Sequence, residues 1–118
     1  MKAFRPKDKK RPEDLIRDRI KMMLESKGWF VKTTHGSMYQ TGFPDLFACH
    51  VRYGQRWVEV KRPKMMGGKF TPAQLRDFPK FCASGSGVWI LTAATEEEYV
   101  KLFRDCNWWH YQLFKGAL

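Results

Sequence analysis

Asp45, Glu59 and Lys61 lie within the stretch GFPDLFACHVRYGQRWVEVKRP, and their types and spacing could do chemistry. They border or interrupt runs that are otherwise apolar. A buried charge costs several kcal/mol per ion unless it is paired or bound to a metal, so their placement needs a reason. Period two along RWVEVKR sends Val58 and Val60 to one face and Glu59 and Lys61 to the other. LFACHVRY and RWVEVKR read as an antiparallel hairpin turning at Gly54 and Gln55, and counting outward from the turn brings Asp45 to the same end as Glu59 and Lys61. Two converging carboxylates repel unless protonated or bridged by a cation. The all-oxygen donor set suits a hard ion such as Mg²⁺ rather than zinc. A carboxylate-bound Mg²⁺ beside a lysine suits phosphodiester hydrolysis: the metal polarises the phosphoryl group and acidifies a bound water, and the lysine orients that water or stabilises the developing negative charge. Taken one at a time, the same charges read as a structural ion-pair cluster; taken together with Glu13 and Gln74, they read as a catalytic set.

The elements that must position them follow from periodicity. Leu15, Ile16, Ile20, Met23 and Leu24 recur at helical spacing in EDLIRDRIKMMLESKG, with Gly28 as a stop signal, and WFVKTT reads as a strand. After the hairpin, Thr71 and Pro72 supply an N-cap and a first-turn proline for a helix carrying Leu75, Phe78, Phe81 and Cys82, which Pro79 should kink or interrupt. SGSG ends it, VWILT is a buried strand, and Thr95 with Glu98 forms a capping box opening a helix through Tyr99, Leu102 and Phe103. The order helix, three strands, helix, strand, helix predicts a small α/β domain with a mixed central sheet flanked by helices.

A chain of 118 residues with 43% apolar residues can bury one core, so residues 13–118 read as a single domain behind a basic, flexible arm over residues 1–12. A formal net charge of +10 favours a polyanionic partner, nucleic acid or an anionic membrane surface. No stretch approaches the ~20 apolar residues of a membrane span, and MKAFRPKDKKRPED lacks the apolar core of a signal peptide, so the expectation is a soluble, intracellular protein. Cys49, Cys82 and Cys106 form no C-x-x-C pair and read as reduced thiols.

Pro44-Asp45, followed fourteen positions later by Glu59-Val60-Lys61, resembles the P-D…(D/E)-x-K signature of the PD-(D/E)XK nuclease superfamily. Glu13 opening the first helix, Gly28, Gly42-Phe43-Pro44-Asp45, Val58-Glu59-Val60-Lys61-Arg62-Pro63 and Gln74 resemble, more narrowly, the VRR-NUC domain, the virus-type replication and repair nuclease, over roughly residues 13–95. The resemblance implies an αβββαβ core and metal-dependent endonuclease activity on DNA, with no nucleotide cofactor. It makes Asp45 and Glu59 metal ligands, the Val60 carbonyl a further ligand, and Glu13 an outer or second-metal ligand. Lys61 becomes the catalytic lysine, and Gln74 helps place that lysine or the scissile phosphate. Mg²⁺ is the implied ion, with Mn²⁺ able to substitute. Stand-alone domains of this family, found in phages and bacteria, resemble junction resolvases and act as homodimers on four-way (Holliday) DNA junctions. For a phage protein of this type the site of action is the cytoplasm of the bacterial host.

Each remaining feature keeps its bland alternative. Acidic residues in a first helical turn, such as Glu13, are favoured by the macrodipole alone. His35, His50 and His110 lack metal-ligand spacing. In HGSMYQTG, Ser37, Tyr39 and Gln40 could hold the DNA backbone, or the segment is a connector. Arg62, Lys64 and Lys69 could hold phosphates around Gly67-Gly68, and Met65-Met66 either wedges at a branch point or is ordinary loop. The aromatic tail with Trp108, Trp109, Tyr111 and Phe114 reads as core or subunit interface before base stacking. The functional alternatives to junction cleavage are a non-catalytic module that binds branched DNA and a same-fold nuclease acting on flaps or restriction-type sites.

Overall fold

The computed structural model describes residues 11–34, 42–63 and 70–108. Helix α1, Pro12–Ser26, starts one residue before Glu13, with Pro12 in its first turn and the Asp14 carboxylate reaching back to the Arg11 N–H at 3.3 Å. Strands β1 (Phe30–Thr33), β2 (Leu46–His50) and β3 (Gly54–Val60) form an antiparallel meander. Helix α2, Pro72–Ala83, then crosses over to β4, Val88–Leu91, which pairs parallel to β3. The sheet order is β1-β2-β3-β4. A short helix α3, Glu96–Tyr99, runs into a 3₁₀ turn over Val100–Phe103.

The sheet is covered on both faces. Val31, Leu46, Ala48, Val58, Val60 and Leu91 pack on Ile20 and Leu24 of α1 and on Leu102. Val88 and Ile90 face the other way, onto Phe78 of α2, Phe70 and Trp108, with Trp57, Leu75 and Phe81 packed around them. Strand alternation therefore places Val58 and Val60 on the α1 face and Trp57, Glu59 and Lys61 on the α2 face, as the period of two requires. The edge of β4 is closed by the Asn107 side chain, whose amide accepts from the Ile90 N–H (2.6 Å) and donates to the Ile90 carbonyl (3.2 Å). Trp108, buried at the start of the aromatic tail, belongs to the core.

Three local expectations are corrected. The hairpin turns over Val51, Arg52 and Tyr53, not Gly54 and Gln55: Gly54 already pairs with His50, and Gln55 with Cys49. Glycine signals a turn because it adopts positive φ at little cost, and Gly54 does so, with φ +81°, where the chain re-enters the ladder. Helix α2 runs through Pro79 to Ala83 without interruption. Pro79 lies on the exposed side, while fully buried Phe78 beside it and the Thr71–Gln74 capping box hold the helix against the ~3 kcal/mol a mid-helix proline costs. The capping box at Thr95 is only half formed, since the Glu98 carboxylate turns to the Thr92 N–H at 2.9 Å and to Lys101. The helix there lasts a single turn before tightening.

His50 is structural, edge-on to Trp29 at 5.0 Å, with its Nδ1 accepting from the Arg52 N–H. All three cysteines carry free thiols. Among the described residues no helix is long and apolar enough to cross a membrane. Residues 1–10 of the arm expected over 1–12, His35, Ser37, Tyr39, Gln40, Lys64, Met65, Met66, Lys69 and residues 109–118 lie outside the described residues, while Arg11 and Pro12 cap and open α1.

Candidate active site

The actual register puts Asp45 one step beyond the Leu46–Val58 pair, directly across from Glu59. The contact is reciprocal. The Asp45 N–H donates to Glu59 Oε1 (3.2 Å), and the Val60 N–H donates to Asp45 Oδ2 (2.9 Å). Thr34, just past β1, holds the other side of the segment: its N–H donates to the Asp45 carbonyl at 2.9 Å and its hydroxyl to the Pro44 carbonyl. Asp45 is thus gripped by the strands on either side before any ligand is considered.

Two residues further, Lys61 continues β3 by donating its N–H to the Leu91 carbonyl (3.1 Å), and its side chain turns back over the α2 face. Its Nζ lies 3.3 Å from Glu59 Oε2, 3.4 Å from Gln74 Oε1 and 5.0 Å from the centre of the Phe70 ring. Gln74 completes the network from α2: its Nε2 donates to Glu59 Oε2 at 2.8 Å, while its Oε1 also accepts from the Thr71 N–H at 3.0 Å. The capping position that starts α2 therefore fixes the amide between the acid and the lysine. Gln74 sits at N3 because Thr71-Pro72 starts the helix there, and its side chain is buried with Glu59 and Lys61 at 9%, 3% and 5% exposure.

This burial has an electrostatic price. Removal from water, followed by repulsion from Asp45, pushes the Glu59 carboxyl up to about 8, against the opposing pull of Lys61 and Gln74. The ion pair with Lys61 does not compensate, because the lost hydration and the repulsion from Asp45 outweigh it.

Glu13 lies in the first turn of α1, half-buried. Its neighbour Arg11 has its guanidinium held above its usual range chiefly by Asp14, with weaker contributions from Glu13 and Asp45, so the start of α1 falls within electrostatic reach of Asp45. Among the described residues, however, no group of three or more His, Cys, Asp or Glu side chains gathers tightly enough to hold a metal. Asp45 and Glu59 meet as a pair, and Glu13 does not join them. Arg62 follows Lys61 at intermediate exposure. Thr34, Phe70 and Arg11 were not legible as site residues: none belongs to a motif, and only the sheet register and the start of α1 bring them in.

Two carboxylates suffice for Mg²⁺, which usually keeps several waters and takes one or two protein carboxylates plus substrate phosphates. A cation here would relieve both the Asp45–Glu59 repulsion and the desolvation of Glu59, so the donor set fits a hard divalent ion.

No protein-family model matches the chain, and no curated protein matches its sequence significantly. Its structure is similar to a solved structure described as a VRR_NUC domain, with a TM-score of 0.62 and 24% identity, over 78% of this chain and 96% of that one. The chain has the fold of that VRR_NUC domain, a four-stranded mixed sheet between helices.

Proposed function

We propose that the chain is a metal-dependent endonuclease that hydrolyses phosphodiester bonds in structured DNA, four-way junctions above all, as a homodimer using Mg²⁺ or Mn²⁺. The observation that carries this reading is the buried Asp45–Glu59–Gln74–Lys61 network, in which a carboxyl is held near neutral pH against a second carboxylate. A purely structural ion-pair cluster has no use for that repulsion, whereas strongly perturbed carboxyls gathered with a lysine are what a hydrolytic site needs. The likeness in fold to a VRR_NUC domain supports the same class of chemistry.

Asp45 and Glu59 would hold the ion with the Val60 carbonyl, and Glu13 would act only as an outer or second-ion ligand. Bound there, the ion supplies charge to the phosphoryl oxygens and lowers the pKa of a water. Gln74 fixes the rotamers of Glu59 and Lys61. The Lys61 ammonium, poor in competing water, holds negative charge on the phosphoryl group or orients the attacking water. Arg62, together with Lys64, Lys69, Ser37, Tyr39 and Gln40, would grip the backbone of the DNA, to which a chain of charge +10 is drawn. Two sites related by a two-fold axis would make paired cuts.

The test is a panel of labelled junction, flap, nicked and linear duplex DNA incubated with Mg²⁺ and either the protein or Lys61→Ala. Cleavage of the junction by the unmodified protein alone is expected. Binding without cleavage by either protein would leave a branched-DNA-binding module, cleavage confined to flaps would move the substrate, and cleavage by both would remove Lys61 from the mechanism.

A further inference from the structure

On the α2 face, one step along the strands from the Asp45–Glu59 pair, lies an aromatic row. Phe47 of β2 stands across from Trp57 of β3 with ring centres 4.8 Å apart, and Trp57 is two residues from Glu59 on the same face, roughly 7 Å along the strand. Phe43 closes the row at 5.6 Å from Trp57 and 5.5 Å from Phe81 of α2, and Phe81 lies 5.4 Å from Trp57. Unlike the buried aromatics of the core, Phe43 is 39% exposed. It precedes Asp45 by two residues, so its backbone lies no more than about 7 Å from that of the carboxylate.

The loop that presents Phe43 is tightly seated. Gly42 has a φ of +90°, and a Cβ there would lie 2.2 Å from Asp77 Oδ2 and 3.2 Å from the Ala73 carbonyl, so the chain lies directly on α2. Beside this contact opens a pocket of about 400 Å³ lined by Asp77, Lys80, Phe81 and Ser84. That is the scale of small-ligand pockets, large enough for one nucleotide and far too small for a duplex. Both Asp77 oxygens are taken by Arg76, at 2.8 and 3.0 Å, and Lys80 brings a cation to the wall. Phe81 and the Lys80 cation on one recess suit a nucleotide whose base stacks on the neighbouring aromatic row and whose phosphate meets the cation.

We propose that Phe43, packed against Trp57 and Phe81, is a stacking platform for one unpaired nucleobase near the Asp45–Glu59 pair, and that Lys80, on the wall of the pocket beside Phe81, holds a neighbouring phosphate. The inference rests on the nuclease reading and deepens it, because it supplies a reason for choosing branched DNA. A base at a branch point or in a single strand leaves its stack at lower cost than one inside a continuous duplex. The platform therefore selects DNA by the availability of an unpaired base, with no need to read its sequence.

The experiment places 2-aminopurine either at the branch point or in the middle of a duplex arm of the same DNA, and reads its emission and the binding affinity with EDTA present. The unmodified protein should change the emission of the branch-point probe only. Phe43→Ala should abolish that change and weaken binding about 5- to 100-fold. Phe43→Leu, which keeps an apolar side chain against Trp57 and Phe81, should abolish the change as well. Loss in the leucine variant, with its circular dichroism unaltered, separates stacking from folding. An emission change that persists in Phe43→Leu, or that the unmodified protein produces equally in the duplex arm, overturns the platform. Cleavage of the same DNA with Mg²⁺ is scored in parallel. Cleavage without a Phe43-dependent signal refutes the platform and leaves the nuclease standing, whereas a Phe43-dependent signal without cleavage supports the platform and refutes the nuclease.

Discussion

Replacing Glu59 by glutamine in the metal-free protein tests the electrostatics of the site. In the folded chain the Glu59 carboxyl titrates at about 8, against an ordinary 4.5, because it is buried and repelled by Asp45. Between these values the folded protein keeps a proton that the unfolded chain has lost, so this group makes stability fall as pH rises. The slope is roughly 1.4 kcal/mol per pH unit, flattening above pH 8, and the whole loss is of the order of 5 kcal/mol. Glu59→Gln removes the titration. It also turns an NH₂ toward one of the donors that Glu59 now accepts from, the Asp45 N–H or the Gln74 and Lys61 side chains, which shifts its stability at every pH by a nearly constant amount. The informative quantity is therefore the difference in slope. Urea unfolding followed by tryptophan fluorescence from pH 5 to 9 in EDTA should show Glu59→Gln gaining on the unmodified protein by several kcal/mol across the range. Parallel curves would mean that Glu59 stays ionised throughout, and the reasoning about burial and repulsion would be wrong.

Gln74→Leu removes the amide that joins Glu59, Lys61 and the Thr71 N–H, leaving buried polar groups without that partner. It should cost about 2–4 kcal/mol in denaturant unfolding, and a loss below about 0.5 kcal/mol would show that the network is not a stabilising contact. Pro79→Ala restores a helical N–H at an exposed position of α2 and should raise stability by about 1–3 kcal/mol; no gain would mean that α2 is already broken there.

How far the sequence could be read depended on the range of the interaction. Alternation in RWVEVKR and the Thr71-Pro72 helix start are local signals, and both placed their residues correctly, Gln74 at N3 included. The order of helices and strands follows from stringing such signals together, and the αβββαβ core is what the family resemblance implies. Errors came where a local rule met a tertiary one. Residue type puts Gly54 in the turn, while the cross-strand register gives it a place in the ladder. Pro79 by itself favours a break in α2, but the burial of Phe78 outweighs that preference. Glu98 had the spacing for a reciprocal cap and found the Thr92 N–H instead. The direct opposition of Asp45 and Glu59, the bridging by Gln74, the Phe70 ring beside Lys61 and the grip of Thr34 on Pro44-Asp45 all depend on register and crossover, which no single segment encodes.

If the Asp45–Glu59 pair is a hydrolytic centre, Asp45→Asn must lose cleavage while keeping DNA binding. Single-turnover cleavage of a labelled four-way junction with Mg²⁺ by the unmodified protein and by Asp45→Asn, with junction binding followed alongside in EDTA, decides this. Asparagine keeps an oxygen to accept from the Val60 N–H, so the fold should hold. Binding within a few-fold of the unmodified protein is expected, with a cleavage rate reduced by at least about a hundredfold through loss of a ligand to the ion that polarises the phosphoryl group. Equal cleavage by the two proteins would show that Asp45 takes no part in the hydrolysis.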